Sequence, residues 1–271
     1  MSAAQSSWSW RKLPGRLNTV FITVVYCFLL LPLVVVVLAS LNKGELLTFP
    51  PEGLSLRWYG AFFASESFMA SLFFSSWLAV VSAIVSTILG TSASLYTVRH
   101  AGRWRGQLKL LITAPLLLPE ILTAIALLFF FYSIGLGQSL VGLIIGHVLI
   151  TLPFVFLATS SAVYNFDGSL EEAARSLGAS RLTTFRRITL PVIKPGVISG
   201  ALLAFTISFD LFAISLLLKG IGTSPLPIQL FDYVKWNFDP TAAAVATVTI
   251  LITLTVVIIT DRLVGLKSLR F

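Results

Sequence analysis

The stretch LNTVFITVVYCFLLLPLVVVVLASL, residues 17–41, runs for 25 residues without a charge. A helix of about 20 apolar residues is long enough to cross a bilayer. Backbone amides find no water there, so a segment of this kind is confined to an α-helix. The rest of the chain has the same character. Of its 271 residues, 56% are hydrophobic and only 11% are charged, where a soluble domain carries about 25% charged residues. With a mean hydropathy of +0.94, the chain cannot coat a water-facing surface of its size. The class is an all-α polytopic membrane protein.

Six transmembrane spans can be drawn, at about 18–41, 68–98, 110–133, 139–164, 194–218 and 240–263. The basic start of the chain, followed by an apolar run, resembles a signal peptide. The run at 20–39 is longer than the usual apolar core of about 7–15 residues, so it is read as a retained first span. This divides the chain into an N-terminal segment (1–17), a first helix with its following loop (18–59), a main transmembrane domain (60–265) and a tail (266–271). Cys27 lies in the first span and is read as a small buried apolar side chain.

Lys and Arg fix the expected orientation. Arg11, Lys12, Arg16, Arg99, Arg103, Arg105, Lys109, Arg175, Arg181, Arg186, Arg187, Lys194, Arg262, Lys267 and Arg270 fall on one side, 15 in number. Lys43, Arg57, Lys219 and Lys235 make 4 on the other. The positive-inside rule then places both termini in the cytoplasm. The same asymmetry accounts for the net charge of +8 without nucleic acid as a partner.

Enzymatic chemistry finds no footing. The chain has no G-x-x-x-x-G-K-[ST] phosphate loop, no H-E-x-x-H and no G-x-S-x-G. His100 and His147 have no second histidine or cysteine at ligand spacing and are read as packing or interfacial residues. No cofactor is expected in this chain. If it moves a solute uphill, the energy source lies elsewhere.

Against this apolar background, DGSLEEAARSLGASRLTTFRRITLPVIKPG (167–196) stands out. Ser169 and Glu172 fit a capping box, which predicts a helix start. Glu171 and Glu172 then fall in the first turn, where negative charge suits the helix dipole. Gly178 suits a left-handed stop, and Ser180 can cap a second short helix. Pro191 and Pro195 are expected to break the chain before it re-enters the membrane. The product is an elbow of two short helices on the cytoplasmic face.

Glu172-Ala173-Ala174, Gly178, Phe185, Ile188, Leu190-Pro191 and Pro195 resemble the EAA motif of permease subunits of bacterial ABC importers. PLLLPEILTAIALL, SFDLF and LPIQLFDYVKWNFDPTAAAVATVTIL are similar to the spermidine/putrescine permease group of type I importers, and the likeness covers about 60–265. The resemblance implies a six-helix subunit of the bacterial inner membrane. It also implies a second permease subunit, two cytoplasmic ATPases that hold ATP and Mg, and an extracytoplasmic solute-binding protein. The elbow at 167–191 would supply the coupling helices that dock on the ATPase through Glu171, Glu172, Ala173, Ala174, Gly178, Phe185, Ile188, Leu190 and Pro191. The implied cargo is a small cationic solute such as a polyamine. Aminophosphonates, ferric iron, sulfate and opine-like compounds are the alternatives, and a self-contained secondary carrier is the competing class.

Two acids fall deep inside the expected spans, while Asp261 sits beside Arg262 at the edge of the last one. Counting from Lys109 at about 1.5 Å per residue puts Glu120 about 15 Å into the membrane, near its midplane. Pro119 breaks the helix ladder beside it. Asp210 lies in the fifth span. Each is a candidate for the substrate pathway or its gate, or for a structural hydrogen bond between helices. Gly142 and Gly146 form a GxxxG in the fourth span, a candidate seam for a permease dimer. Trp58, Tyr59, Tyr233 and Trp236 are read as interfacial anchors.

Overall fold

The computed structural model describes residues 15–222 and 224–264. The expected tail at 266–271 and residues 1–14 of the expected N-terminal segment, with Arg11, Lys12, Lys267 and Arg270, lie outside the described residues. The elements are all helical: α1 (Gly15–Ser40), α2 (Arg57–Ala64), α3 (Glu66–Arg99), α4 (Arg105–Thr113), α5 (Glu120–Ser133), α6 (Leu140–Tyr164), α7 (Ser169–Ser176), α8 (Arg181–Thr184), α9 (Leu190–Asp210), α10 (Phe212–Leu218), α11 (Leu226–Val234) and α12 (Thr241–Val264). Among the described residues five helices are long and apolar enough to cross a membrane, or six if one bent pair counts as a span.

The described residues divide into two compact units, one of 15–61 with 238–247, the other of 62–222 and 224–237 with 248–264. In the first, α1 runs bare, with none of its most apolar stretch buried. Cys27 is exposed on it, not buried as expected. The loop after α1 is tied to one side chain. Asn42, fully buried, donates through Nδ2 to the Leu46 carbonyl and the Thr48 hydroxyl, both at 3.0 Å. Its Oδ1 accepts from the amides of Gly44 at 3.1 Å and Glu52 at 3.0 Å. Two expected interfacial anchors serve this loop as well: Trp58 Nε1 donates to the Asn42 carbonyl at 2.8 Å, and the Tyr59 hydroxyl lies 2.6 Å from Ser40 Oγ.

The second unit is built on α3, α6 and α9, which pack on one another. Val155 of α6 is their wedge. A methyl group added at Gly90 of α3 or at Gly200 of α9 would come within 2.9 Å of it, so both helices approach as only glycine permits. Hydroxyl pairs also join α3 to α6, Ser86 to Thr151 at 2.7 Å and Ser94 to Ser160 at 3.0 Å. Each satisfies two polar groups where water is absent. The GxxxG glycines close on this chain's own helices and not on a dimer seam. A Cβ at Gly146 would meet Leu218 and Ile214 of α10 at 2.7 and 2.8 Å, and one at Gly142 would meet Phe131 of α5 at 3.1 Å. Tyr233, another expected anchor, packs against Phe68 with ring centroids 5.1 Å apart, whereas Trp236 is exposed.

Two expected spans are not straight. The third is a pair of arms, 102–117 and 120–133, meeting at 101°. Leu118 is extended there, with φ −98° and ψ 143°, as a residue before proline prefers, and Pro119 has no amide with which to continue the ladder. A straight-line depth for Glu120 therefore fails, since Glu120 begins a new helix after the corner. The fifth span breaks at Leu211, whose ψ of 104° separates α9 from α10.

Candidate functional site

The elbow forms largely as expected, with two corrections. Ser169 is not the cap of α7. Its amide donates to Asp167 Oδ1 at 2.9 Å, so the aspartate two residues upstream does the capping and Ser169 is already helical. The Ser169 amide, then its hydroxyl, hold the Asp167 carboxyl below the usual carboxylate range. The end of α7 is a Schellman turn. The amides of Gly178 and Ala179 each donate at 3.0 Å, to the carbonyls of Arg175 and Ala174. Gly178 has φ +87°, a conformation that a residue with a Cβ adopts only at a cost. Ser180 caps α8, accepting from the Thr183 amide at 3.2 Å.

The second correction concerns Pro191 and Pro195, which do not break the chain. The helix runs on from Arg181 to Asp210. A π-helical turn at Phe185–Thr189 precedes the prolines, and the Leu190 amide reaches back to the Phe185 carbonyl. This wider turn gives the Pro191 ring room where a regular turn would press it on the carbonyl four residues back.

The two adjacent acids of α7 point different ways. Glu171 Oε1 lies 2.8 Å from Arg99 Nη1 at the end of α3, and the same oxygen accepts the Thr189 hydroxyl. Partial burial acts to raise the Glu171 carboxyl. The Thr189 and Arg99 hydrogen bonds and the charges of Arg99 and Arg175 outweigh it, so the group titrates below its ordinary range. Glu172 is exposed and, among the described residues, its carboxylate has no hydrogen bond or ion pair. Ala173 and Gly178 share its exposure, Pro191 is exposed, and Ala174, Phe185, Ile188 and Leu190 are half-buried. Leu177, which the sequence reading passed over, is 89% exposed at the apex, next to Gly178. Its signal was available: an apolar residue set between the last helical turn and a helix-stopping glycine in a polar loop.

The other two candidate residues stand at the two helix breaks. Glu120 opens α5, and its Oε1 accepts the Ala213 amide at 2.9 Å. That amide belongs to the first turn of α10, where no amide has a partner within its own helix, so Glu120 caps a helix distant in sequence. Asp210 closes α9 and faces the Thr253 hydroxyl of α12. His147 spans the break from behind. Almost fully buried, its Nδ1 lies 2.8 Å from Ser208 Oγ before the break, and its Nε2 lies 3.0 Å from Ser215 Oγ after it. This agrees with its reading as a packing residue. Among the described residues no group of three or more metal-ligating side chains gathers.

Residues 86–269 match the family described as binding-protein-dependent transport system inner membrane component. The chain belongs to that family. It is therefore a permease subunit of the inner membrane, a transport component whose ATPase is a separate chain. Among curated relatives, it is 33% identical over 247 residues to the spermidine/putrescine transport system permease protein PotC of Haemophilus influenzae, covering 90% of this chain and 95% of that one. It is 36% identical over 236 residues to the putrescine transport system permease protein PotI of Escherichia coli, covering 84% of this chain and 83% of the relative. Among solved structures, a bacterial ABC transporter involved in the import of the acidic polysaccharide alginate superposes with a TM-score of 0.68 at 18% identity, over 92% of this permease and 95% of that chain. The MetNI methionine ABC transporter gives a TM-score of 0.59 at 19% identity, over 74% and 97%. These two share the permease's fold.

Proposed function

We propose that the permease imports small cationic organic solutes, polyamines in the first place. The observation that carries this reading is the 33% and 36% identity, over most of the chain, to permeases named for spermidine and putrescine. The permease pairs with a second permease subunit, identical or different, and an extracytoplasmic binding protein delivers the solute. Two cytoplasmic ATPases hold ATP and Mg and supply the work. Asp210 is the better candidate for the pathway, because the Glu120 carboxylate is already spent on the Ala213 amide. The deciding experiment is uptake of labelled putrescine and spermidine by the reconstituted complex. Absence of polyamine uptake, with uptake of an aminophosphonate, ferric iron, sulfate or an opine-like compound instead, overturns the cargo assignment.

The elbow docks on the ATPase. Glu172 is a free charge on an exposed helix, Leu177 is an exposed apolar tip, and the Schellman turn holds both on a compact knob. Glu172→Lys reverses the charge, and Gly178→Asp forces a side chain onto a backbone at φ +87°. Losing one well-placed interfacial charge pair costs about 2–5 kcal/mol, a factor of tens to thousands in affinity. Each variant is expected to insert and to pair with its partner permease, yet to recover less ATPase on purification and to transport less. Full ATPase recovery and full transport in both would end the docking role.

Orientation follows from the 15-to-4 distribution of Lys and Arg, with the elbow and both termini in the cytoplasm. With Cys27→Ser as background, Ile221→Cys is expected to react with a membrane-impermeant thiol reagent in spheroplasts, and Ser176→Cys only after lysis. The reverse pattern inverts the topology.

A further inference from the structure

Within the docking elbow, Glu171 and Glu172 are neighbours in sequence but not in what they face. Successive residues of an α-helix lie about 100° apart, and here the turn separates a half-buried acid from a free one. The Glu171 side chain is 18% exposed and that of Arg99 is 25% exposed. Thr189, the third member, is fully buried. Three elements meet at one carboxylate oxygen: the last residue of α3, the first turn of α7 and the last residue of the π-helical turn that leads into α9. The Arg99 guanidinium also lies 5.1 Å from the centroid of the Phe166 ring, just before the elbow. Among the described residues, no other side chain of α7 makes a hydrogen bond or ion pair outside the elbow. The Arg175 side chain bonds only to the Glu171 carbonyl, and that of Ser176 to the Glu172 carbonyl, both within α7.

We propose that Glu171, through Arg99 and Thr189, is a positioning residue: an internal strut that joins the docking knob to the ends of α3 and α9, and not an ATPase contact. The proposal rests on the docking role given above and divides its labour. Glu172 and Leu177 meet the partner. Glu171 passes the displacement on to two long membrane helices at once. The chemistry suits that task. A half-buried carboxylate sharing one oxygen between a guanidinium and a hydroxyl is held in one place, because leaving either partner exposes a charge to a poorly solvated setting. Arg99 Nη2 is buried with no hydrogen-bond partner, so Glu171 is the anion on which this guanidinium depends. Without the strut, α7 keeps its own cap and its own Schellman turn. The knob should therefore still form and dock, but move without carrying α3 with it.

The test uses the assembled transporter in proteoliposomes, with permeases, ATPase and loaded binding protein all present. E171Q and R99Q are each expected to recover the ATPase at the wild-type ratio, while transport and the ATP hydrolysis stimulated by the loaded binding protein fall about tenfold. The double variant R99Q/E171Q is expected to lose no more than either single one, since both remove the same link. R99K, which keeps the positive charge, should retain more transport than R99Q. Three results would each overturn the strut: loss of ATPase recovery in E171Q, which makes Glu171 a docking contact or a stabiliser of the knob; unchanged stimulated hydrolysis and transport; or additive losses in the double variant. Failure of the docking role is read separately, from Glu172→Lys. If that variant keeps its ATPase, the docking assignment falls whatever Glu171 does. If it loses the ATPase while E171Q behaves as wild type, docking stands and only the strut is lost.

Discussion

The elbow and the pair of helix breaks are both irregular, yet they are held by opposite means. In the elbow each irregularity has a partner a few residues away: Asp167 with the Ser169 amide, Gly178 with the Arg175 carbonyl, Ser180 with the Thr183 amide. At the breaks the partners are remote. Glu120 reaches an amide 93 residues on, and His147 reaches hydroxyls 61 and 68 residues on. The surface proposed to dock on another protein is built from local rules, which do not depend on how distant helices sit. A region inside the membrane has no water to complete its backbone, so it borrows partners from other helices, and its geometry depends on how those helices sit.

If that contrast holds, the largest effect in either region comes from cutting a remote link. Glu120→Ala leaves the Ala213 amide without its acceptor, and an amide orphaned in this way costs about 1–3 kcal/mol. The expected result is a lower midpoint of thermal unfolding in detergent and poor recovery of the complex. Glu120→Gln, which keeps an acceptor oxygen, should stay near wild type. An unchanged midpoint for the alanine variant would mean that α10 does not need this cap. Asp210→Asn comes next. It keeps hydrogen-bonding capacity toward Thr253 and removes only charge, so unfolding and ATPase recovery should not move. Uptake of a cationic solute should fall about tenfold, equivalent to about 1.4 kcal/mol. Unchanged uptake would take Asp210 out of the pathway.

The smallest effect belongs to a local link. Asp167→Ala removes one cap while the Schellman turn and the Ser180 cap remain. Amide exchange in α7 should quicken about fivefold, with transport little changed. A loss of transport as severe as that of Asp210→Asn would show that the elbow is less self-sufficient than its hydrogen bonds imply. Acid supplies a parallel probe. Asp167 and Glu171 both titrate below the usual carboxylate range. A depressed group contributes its full stabilisation above the unfolded-state value and loses it as pH falls through the folded one. Protection of the elbow amides should therefore be flat from neutral pH down to the ordinary carboxylate range and drop only below it. A drop beginning near neutrality would implicate some other group.

The same contrast explains what could be read from the sequence. The spans were legible because apolar length is a local property, whereas Pro119 marks a broken ladder without revealing the 101° corner that it makes. Gly178 and Ser180 were recognisable from residue type alone. Ser169 was mistaken for the cap because a Ser-x-x-Glu pattern does not reveal that an aspartate two residues earlier has already taken the amide. The π-helical turn was invisible, since nothing in FRRIT distinguishes a wide turn from a regular one, and so the prolines after it were misjudged. Leu211 carries no breaking residue either. Its break is flanked by contacts from Glu120, His147 and the two serines, a set that only the folded bundle assembles. Glu171 and Glu172 look alike in the sequence, and Arg99, 72 residues away, is what distinguishes them.

The position of the elbow along the chain has a consequence for the order of events during synthesis. Every residue that shapes it, from Arg99 through Asp167 to Thr189, has been added before Leu211 and before any part of α12, which starts at Thr241. The proposed handle for the ATPase is thus encoded ahead of the second break and of the last membrane helix. If the elbow docks as proposed, nothing in the surface it offers to the partner waits on a residue of α12.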